Sequence, residues 1–438
     1  MSQRISRRDW IRVLGTSGLA AGLGSAELSA AAVGEETGRT CPTLADGKVI
    51  QPRRELPVLR KTDVLVVGAG PAGVCAALAA KRTGADVTLV ERYGHFGGLW
   101  TGGLVLLVIS MFGKGGKQVT RGIGEEILRR LDKLDGAIVN RGPGVSPTVD
   151  AEAAKYVMVE MIREAEVNVY LHCWGVDAIM DGDTIRGAVF ESKSGRQAIV
   201  ARTVVDATGD GDLFGAAGAE HERRKYDIGL VCRLGNLDKV DPAKAAQTKK
   251  PGDLGAVTPV RGVSWVNMRG PAADGLDVAE LTRLEMNHRR QIWRNLQRIR
   301  STPGYEQVYL VETAPQLGVR ITRVLAGLKT LTLKDARAGT VYPDVIGVGG
   351  ADGAQKDQWQ IPYRALVPKK LDNLLAAGRC ISGEQPMADL LRLIPACFVT
   401  GHAAGVAAAM SVKDSCRPRD LDVPTLQREL RRQGAYLG

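Results

Sequence analysis

Three glycines stand at positions 68, 70 and 73, in the string Gly68-Ala-Gly70-Pro71-Ala72-Gly73, and each spacing has its own steric use. The first permits a tight turn out of a strand. The second lets a ligand diphosphate approach the main chain, and the third lets the following helix pack closely on the strand. The start of that helix turns unpaired N–H groups toward the anion. Glu91 follows eighteen residues after Gly73, at the end of a second β-branched run, where a carboxylate accepts hydrogen bonds from adenosine ribose hydroxyls. Together these residues predict a dinucleotide site.

The elements that must hold them are legible. Residues 63–68 (DVLVVG) are β-branched with nothing polar after Asp63, the pattern of a strand buried on both faces. VCAALAAKRTG then reads as a helix and DVTLVE as a second strand. After Glu91 comes a glycine-rich turn, Arg92-Tyr-Gly94-His-Phe-Gly97-Gly98-Leu99-Trp100-Thr101. Residues 203–212 (TVVDATGDGD) form a strand ending in Ala207-Thr208-Gly209, and 369–383 form one ending at Gly378-Arg379. Residues 392–410 (RLIPACFVTGHAAGVAAAM) are a small-residue helix entered through Leu393, Ile394 and Pro395, proline being suited to a first helical turn.

These segments, in this order, resemble the bacterial FAD-dependent oxidoreductase family, also called xanthan-lyase-like, of the glutathione-reductase-like flavoprotein superfamily. The resemblance runs from about Thr62 to Ala435 and is carried by VGAGPAG, ERYGHFGGLWTGGL, ESKSGRQAIVARTVVDATGDGD, YLVETAPQLGVRITR, IPYRALVPKKLDNLLAAGRCIS and LRLIPACFVTGHAAGVAAA. It implies an α/β fold: a Rossmann-like FAD-binding domain of the glutathione-reductase type with an inserted β-rich substrate domain. It also implies that FAD lies extended, its adenine near Val176, its diphosphate beside the 92–101 turn, Ala207-Thr208-Gly209 beneath it, and its isoalloxazine under residues 392–397. A helix start aimed at the flavin N1–C2=O edge stabilises the negative charge of the reduced ring. Two strings depart from the family: Ile321 stands between Arg320 and Thr322 where relatives carry an acid, and GGADGAQKDQW at 349–359 lacks their D-x-H. Both point to a different substrate, and the reaction is not inherited.

Flavin oxidation of a C–H or C–N bond needs positive potential near N1 and a group to take the partner proton. Arg392, just before the last helix, suits the first role. Arg320 and Arg323, three apart, share a face if helical and then clamp a carboxylate or sugar acid; a structural ion pair is the alternative for each. His402, inside the last helix, is a candidate base, against a packing role. His95 does not have the spacing of a covalent flavin link.

The chain has 438 residues, 44% hydrophobic and 24% charged, the balance of a soluble globular protein. Its net charge of +11 is spread along the sequence, and the basic run 283–300 reads as a helix of the second lobe without a nucleic-acid motif. None of the seven cysteines forms a C-x-x-C pair, so neither a metal site nor a dithiol motif is expected. Residues 6–10 (Ser-Arg-Arg-Asp-Trp), a mild apolar stretch and Ala30–Ala32 read as a twin-arginine export signal, too short to span a bilayer. The predicted order is a signal peptide over 1–32 and a linker over 33–60, then a discontinuous FAD-binding domain. Its segments are 61–220 and 346–438, with the substrate domain, 221–345, inserted between them and a helix over 120–134. The function expected is a periplasmic dehydrogenase or oxidase passing a hydride from a small polar substrate, a carbohydrate or organic acid, to flavin N5. A reductase or isomerase fed by a separate donor, and a non-enzymatic FAD-stabilised binding protein, stay open. So do the electron acceptor and the oligomeric state.

Overall fold

The computed structural model describes residues 41–142, 144–351 and 357–438. Residues 1–40, 143 and 352–356 lie outside the described residues, and with them the predicted export signal and the middle of the 349–359 string. The described residues divide into two units, one ending at Glu55 and the other running from Leu56 to Gly438. In the first, Thr43–Ala45 and Lys48–Ile50 pair as an antiparallel hairpin where the sequence predicts only a linker. Its turn, Asp46-Gly47, has φ of 50° and 72°, the mirror-image turn whose twist suits a two-residue connection.

The second unit opens with β1 (Val58–Val67), α1 (Pro71–Arg82) and β2 (Val87–Val90). The predicted helix over 120–134 is α2 (Ile123–Asp132), and α3 (Ala151–Glu164) follows, capped by the Asp150 carboxylate on the Ala153 N–H. Then come β3 (Asn168–Tyr170), β4 (Trp174–Asp181), β5 (Thr184–Ser192) and β6 (Gly195–Asp206). β3, β2, β1 and β6 lie parallel in that order. Val64 to Val67 are buried on both faces, as a parallel strand covered on each side must be. The free side of β6 is shared. Its first half pairs antiparallel with β5, which pairs with β4.

A second sheet is built from Ala256–Val257, β7 (Leu230–Gly235), β8 (Ser264–Met268) and, beyond α4 (Val278–Arg300), β9 (Tyr309–Thr313). The basic run is the outer side of α4. Leu284, His288, Ile292, Leu296 and Ile299 recur at helical spacing and are buried, while Arg283, Arg290, Arg294, Arg298 and Arg300 are exposed. Leu317 is the last buried residue of the two cores around this sheet, whereas Leu325, Leu331, Ala336, Tyr342 and Val345 belong to the main core.

The chain returns through β10 (Leu374–Ala376), parallel to the second half of β6, and α5 (Ile394–Lys413). α5 is long and apolar enough to cross a bilayer, yet every residue from Ile394 to Val412 is buried in the core. It lies on α1 through two glycines a turn apart. A Cβ on Gly401 would stand 2.0 Å from the Ala72 carbonyl oxygen, and one on Gly405 2.1 Å from that of Ala76.

Because these neighbours are backbone, no rotamer change relieves a larger side chain. Gly405→Leu is expected to lower the unfolding free energy by about 3 kcal/mol or more, the upper end of over-packing costs. Urea denaturation measures it, and an unchanged midpoint means that the two helices are free to move apart.

Candidate functional site

The strand ends, two glycine turns and the second sheet enclose a cleft of about 1070 Å³, its mouth included. The turn after β1 forms one wall. Gly68 has φ 93°, and a Cβ there would strike the Ala207 carbonyl; one on Gly73 would strike the Gly68 carbonyl at 1.7 Å. A Cβ on Gly70 meets nothing. Gly68 and Gly73 therefore let α1, β1 and β6 close together, and Gly70 keeps the wall low where the cleft passes. α1 begins without a side-chain cap and with Pro71 in its first turn, so the Ala72 and Gly73 N–H groups have no acceptor among the described residues.

The next turn lies against the first: Gly97 N–H donates to the Ala69 carbonyl at 2.8 Å, and Gly98 sits over Gly70. Glu91, 5% exposed, accepts the N–H groups of Ala69 at 2.6 Å and Tyr93 at 2.9 Å. It ties the two turns together, a role the ribose assignment leaves out, and its oxygens keep further lone pairs for a ligand hydroxyl. Asp206, fully buried, accepts from the Leu213 and Phe214 N–H groups, each at 3.0 Å, and from Thr208, so that Ala207-Thr208-Gly209 is held at the cleft edge. Asp210 then bridges Arg379 at 3.0 Å and Arg92 at 3.9 Å. Burial and the charges of Asp210 and Asp206 push Asp212 up to about 6.

Of the predicted cofactor residues, Gly68, Gly70, Pro71, Ala72, Glu91, Arg92, Gly98, Leu99, Trp100, Ala207, Thr208, Gly209, Gly378, Arg379 and Ile394 line the cleft. Gly73, Gly97, Thr101, Leu393 and Pro395 stand behind it, shaping turns and helix starts. Val176 is off the wall; two residues earlier on β4, Trp174 stacks on the Arg92 guanidinium at 5.5 Å.

The opposite wall comes from Gly229, Val231, Asn267, Gln316, Gly318 and Arg320. Gln316 N–H donates to the Gly102 carbonyl at 3.1 Å, seating this wall on the second turn. Sequence reasoning missed Gln316 and Asn267, because only the fold brings them near the glycine turns. The Ala-Pro-Gln-Leu-Gly-Val-Arg string at 314–320 was the available signal.

Arg392 and Arg320 both line the cleft, Arg392 held by Asp389 at 2.6 Å. Arg323 does not. Arg323 opens a short strand, 323–325, and residues 320–322 are loop with a bend at 322, so the two arginines share no helix face. Arg323 instead donates to the Asp210 carbonyl at 3.1 Å and pairs with Asp212 at 3.0 Å, which corrects the helical clamp. His402 is likewise away from the cleft: it is 3% exposed, and its Nε2 stands 3.2 Å from Gln433 Oε1. The Cys397 thiol on the cleft wall is pushed up to about 12 by burial, so it stands there as a neutral apolar group.

These walls fit an extended dinucleotide. One offers unpaired helix-start amides above an open glycine, and two buried polar atoms of lining residues, Trp100 Nε1 and Gln316 Oε1, have no partner among the described residues. The family described as FAD dependent oxidoreductase matches residues 63–233 and 236–430. Among solved structures, a geranylgeranyl bacteriochlorophyll reductase-like protein of Thermoplasma acidophilum is 15% identical over 85% of this chain and 83% of its own, with a TM-score of 0.46. The p-nitrophenol 4-monooxygenase of Pseudomonas putida is 13% identical over 84% and 83%, TM-score 0.44. A flavoprotein/dehydrogenase of Cytophaga hutchinsonii is 13% identical over 81% and 79%, TM-score 0.42. No curated protein matches the chain.

Burial lowers His402 to about 4 from 6.5. Below pH 6.5 the unfolded chain takes up a proton that the folded protein refuses until about pH 4, so stability falls as pH falls through that window. The loss is on the order of 3 kcal/mol. His402→Gln should flatten this section of the stability profile, followed by denaturant titrations between pH 7 and 4; an unchanged slope would assign the acid sensitivity elsewhere.

Proposed function

This chain belongs to the FAD dependent oxidoreductase family and takes FAD as its cofactor; from that premise we propose an exported dehydrogenase or oxidase that acts on a small polar molecule. The observation that carries the reading is the contrast between the two cleft walls. One is glycine turn and helix start; the other is a polar surface of Asn267, Gln316 and Arg320 that the cofactor-binding turns do not require.

When bound, FAD would supply two-electron redox chemistry. The chain's own residues do the rest. The unpaired amides at the start of α1, led by that of Ala72 on the cleft wall, would hold the diphosphate, Glu91 would hold the ribose, and the turn from Gly98 to Trp100 would bound the cofactor. Arg392, with the uncapped start of α5, supplies positive potential where reduction places negative charge. Trp100, Val105, Val231 and Ile394 exclude water and strengthen that field. The glutathione-reductase-like arrangement, the division of the FAD-binding domain into 61–220 and 346–438 with a substrate domain between, and twin-arginine export to the periplasm belong to the same proposal. Arg7 and Arg8 with the mild apolar stretch support the export.

The purified protein should be yellow, and anaerobic addition of small polar substrates should bleach it for the right compound, with colour returning in air or with an added acceptor. A flavin inert to every class of substrate would reject the reading. Gly70→Val should separate cofactor binding from folding. The new side chain starts in open cleft at φ −67°, so the melting temperature of the FAD-free protein changes little while FAD affinity falls at least about tenfold, ~1.4 kcal/mol. Unchanged FAD content would remove the diphosphate from this turn.

A further inference from the structure

We propose that the substrate is an organic acid whose ionised carboxylate is bound by Arg320 beside Arg392, an inference that rests on the oxidoreductase reading and narrows it. Arg320 is half-buried on the wall opposite the glycine turns. Its guanidinium gives one N–H to the Asp227 carbonyl at 2.7 Å and one to Asn267 Oδ1 at 3.3 Å. Five donors are available on such a group. Three remain, and none of the Arg320 nitrogens is sealed away without a partner.

The other guanidiniums of the cleft are matched. Arg92 and Arg379 share Asp210, and Arg392 holds Asp389. Among the described residues no carboxylate comes within 4.0 Å of Arg320. Burial, then the charge of Arg392, then that of Arg269 make its positive charge costly, and Asp227 offsets some of this. The group nonetheless stays protonated near neutral pH. An anion in the cleft relieves that cost.

The cofactor diphosphate is not that anion, because its seat is the start of α1 on the other wall. One unpaired guanidinium on the cleft wall calls for one negative charge at that wall. A carboxylate carries one and matches the planar fork of a guanidinium, whereas a phosphate monoester brings about 1.5 to 2. Arg269 is exposed, makes no ion pair among the described residues, and adds to the field that draws an anion inward.

The test titrates the FAD-loaded protein with acetate, glycolate and succinate, with acetamide as the neutral analogue and inorganic phosphate as the rival anion. Ionic strength is held constant with chloride, and flavin absorbance and melting temperature are the readouts. The expected result is saturable binding of the carboxylates, none of acetamide, and an affinity at least tenfold weaker in Arg320→Gln with FAD content retained. Arg320→Lys should recover some of it. Arg269→Gln, at an exposed position, should weaken carboxylate binding about twofold at low salt and not at high salt.

Equal responses to acetate and acetamide, tighter binding of phosphate, or carboxylate binding untouched by Arg320→Gln would each overturn the proposal. Loss of FAD in Arg320→Gln and Arg320→Lys would overturn it too, by assigning the arginine to the cofactor. Bleaching by neutral sugars with carboxylates ignored sinks the organic acid and leaves the oxidoreductase standing. A flavin that answers to no substrate at all sinks both.

Discussion

The close approach of α5 to α1 is the constraint on which the rest of the site depends. Gly401 and Gly405 carry no Cβ, so the last helix rests on the Ala72 and Ala76 backbone of the first. Both helices begin at the same cleft, both lack a side-chain cap and both have proline in the first turn. Their unpaired amides therefore converge from elements that are more than three hundred residues apart in the sequence. Dispersion between helices falls off steeply with separation, so a wider spacing would weaken the packing and draw the two helix starts away from each other.

A second linkage is electrostatic. Arg379 donates to the Arg320 carbonyl at 2.9 Å while pairing with Asp210, and Asp210 reaches Arg92. One buried carboxylate thus connects the turn after β2, the end of β6, the end of β10 and the opposite wall. Removing a single partner from such a chain leaves a poorly solvated charge, which costs far more than an exposed ion pair is worth.

What was legible in the sequence was local. The β1–turn–α1–β2 unit and Glu91 could be read because a glycine's steric role follows from its distance to the next glycine and to the flanking apolar runs. The Arg320 and Arg323 pairing failed because spacing alone does not say whether a segment is helical; here it is a loop that runs into a strand, and the two guanidiniums take different partners. His402 sat on a helix whose every face is buried, so periodicity gave no direction for its side chain. Gln316 and Asn267 were invisible for a different reason: their importance lies in what faces them, and those partners come from distant strands. The hairpin at 43–50 did carry a local signal in Asp46-Gly47, and its short exposed strands made it easy to pass over as linker.

The sharing of β6 between an early hairpin and β10 has a consequence for how the molecule is made. While the polypeptide leaves the ribosome, the second half of β6 has β1 on one side and an unsatisfied edge on the other, until residues 374–376 emerge. Such late, high-contact-order closure is slow and leaves an adhesive strand edge exposed during synthesis.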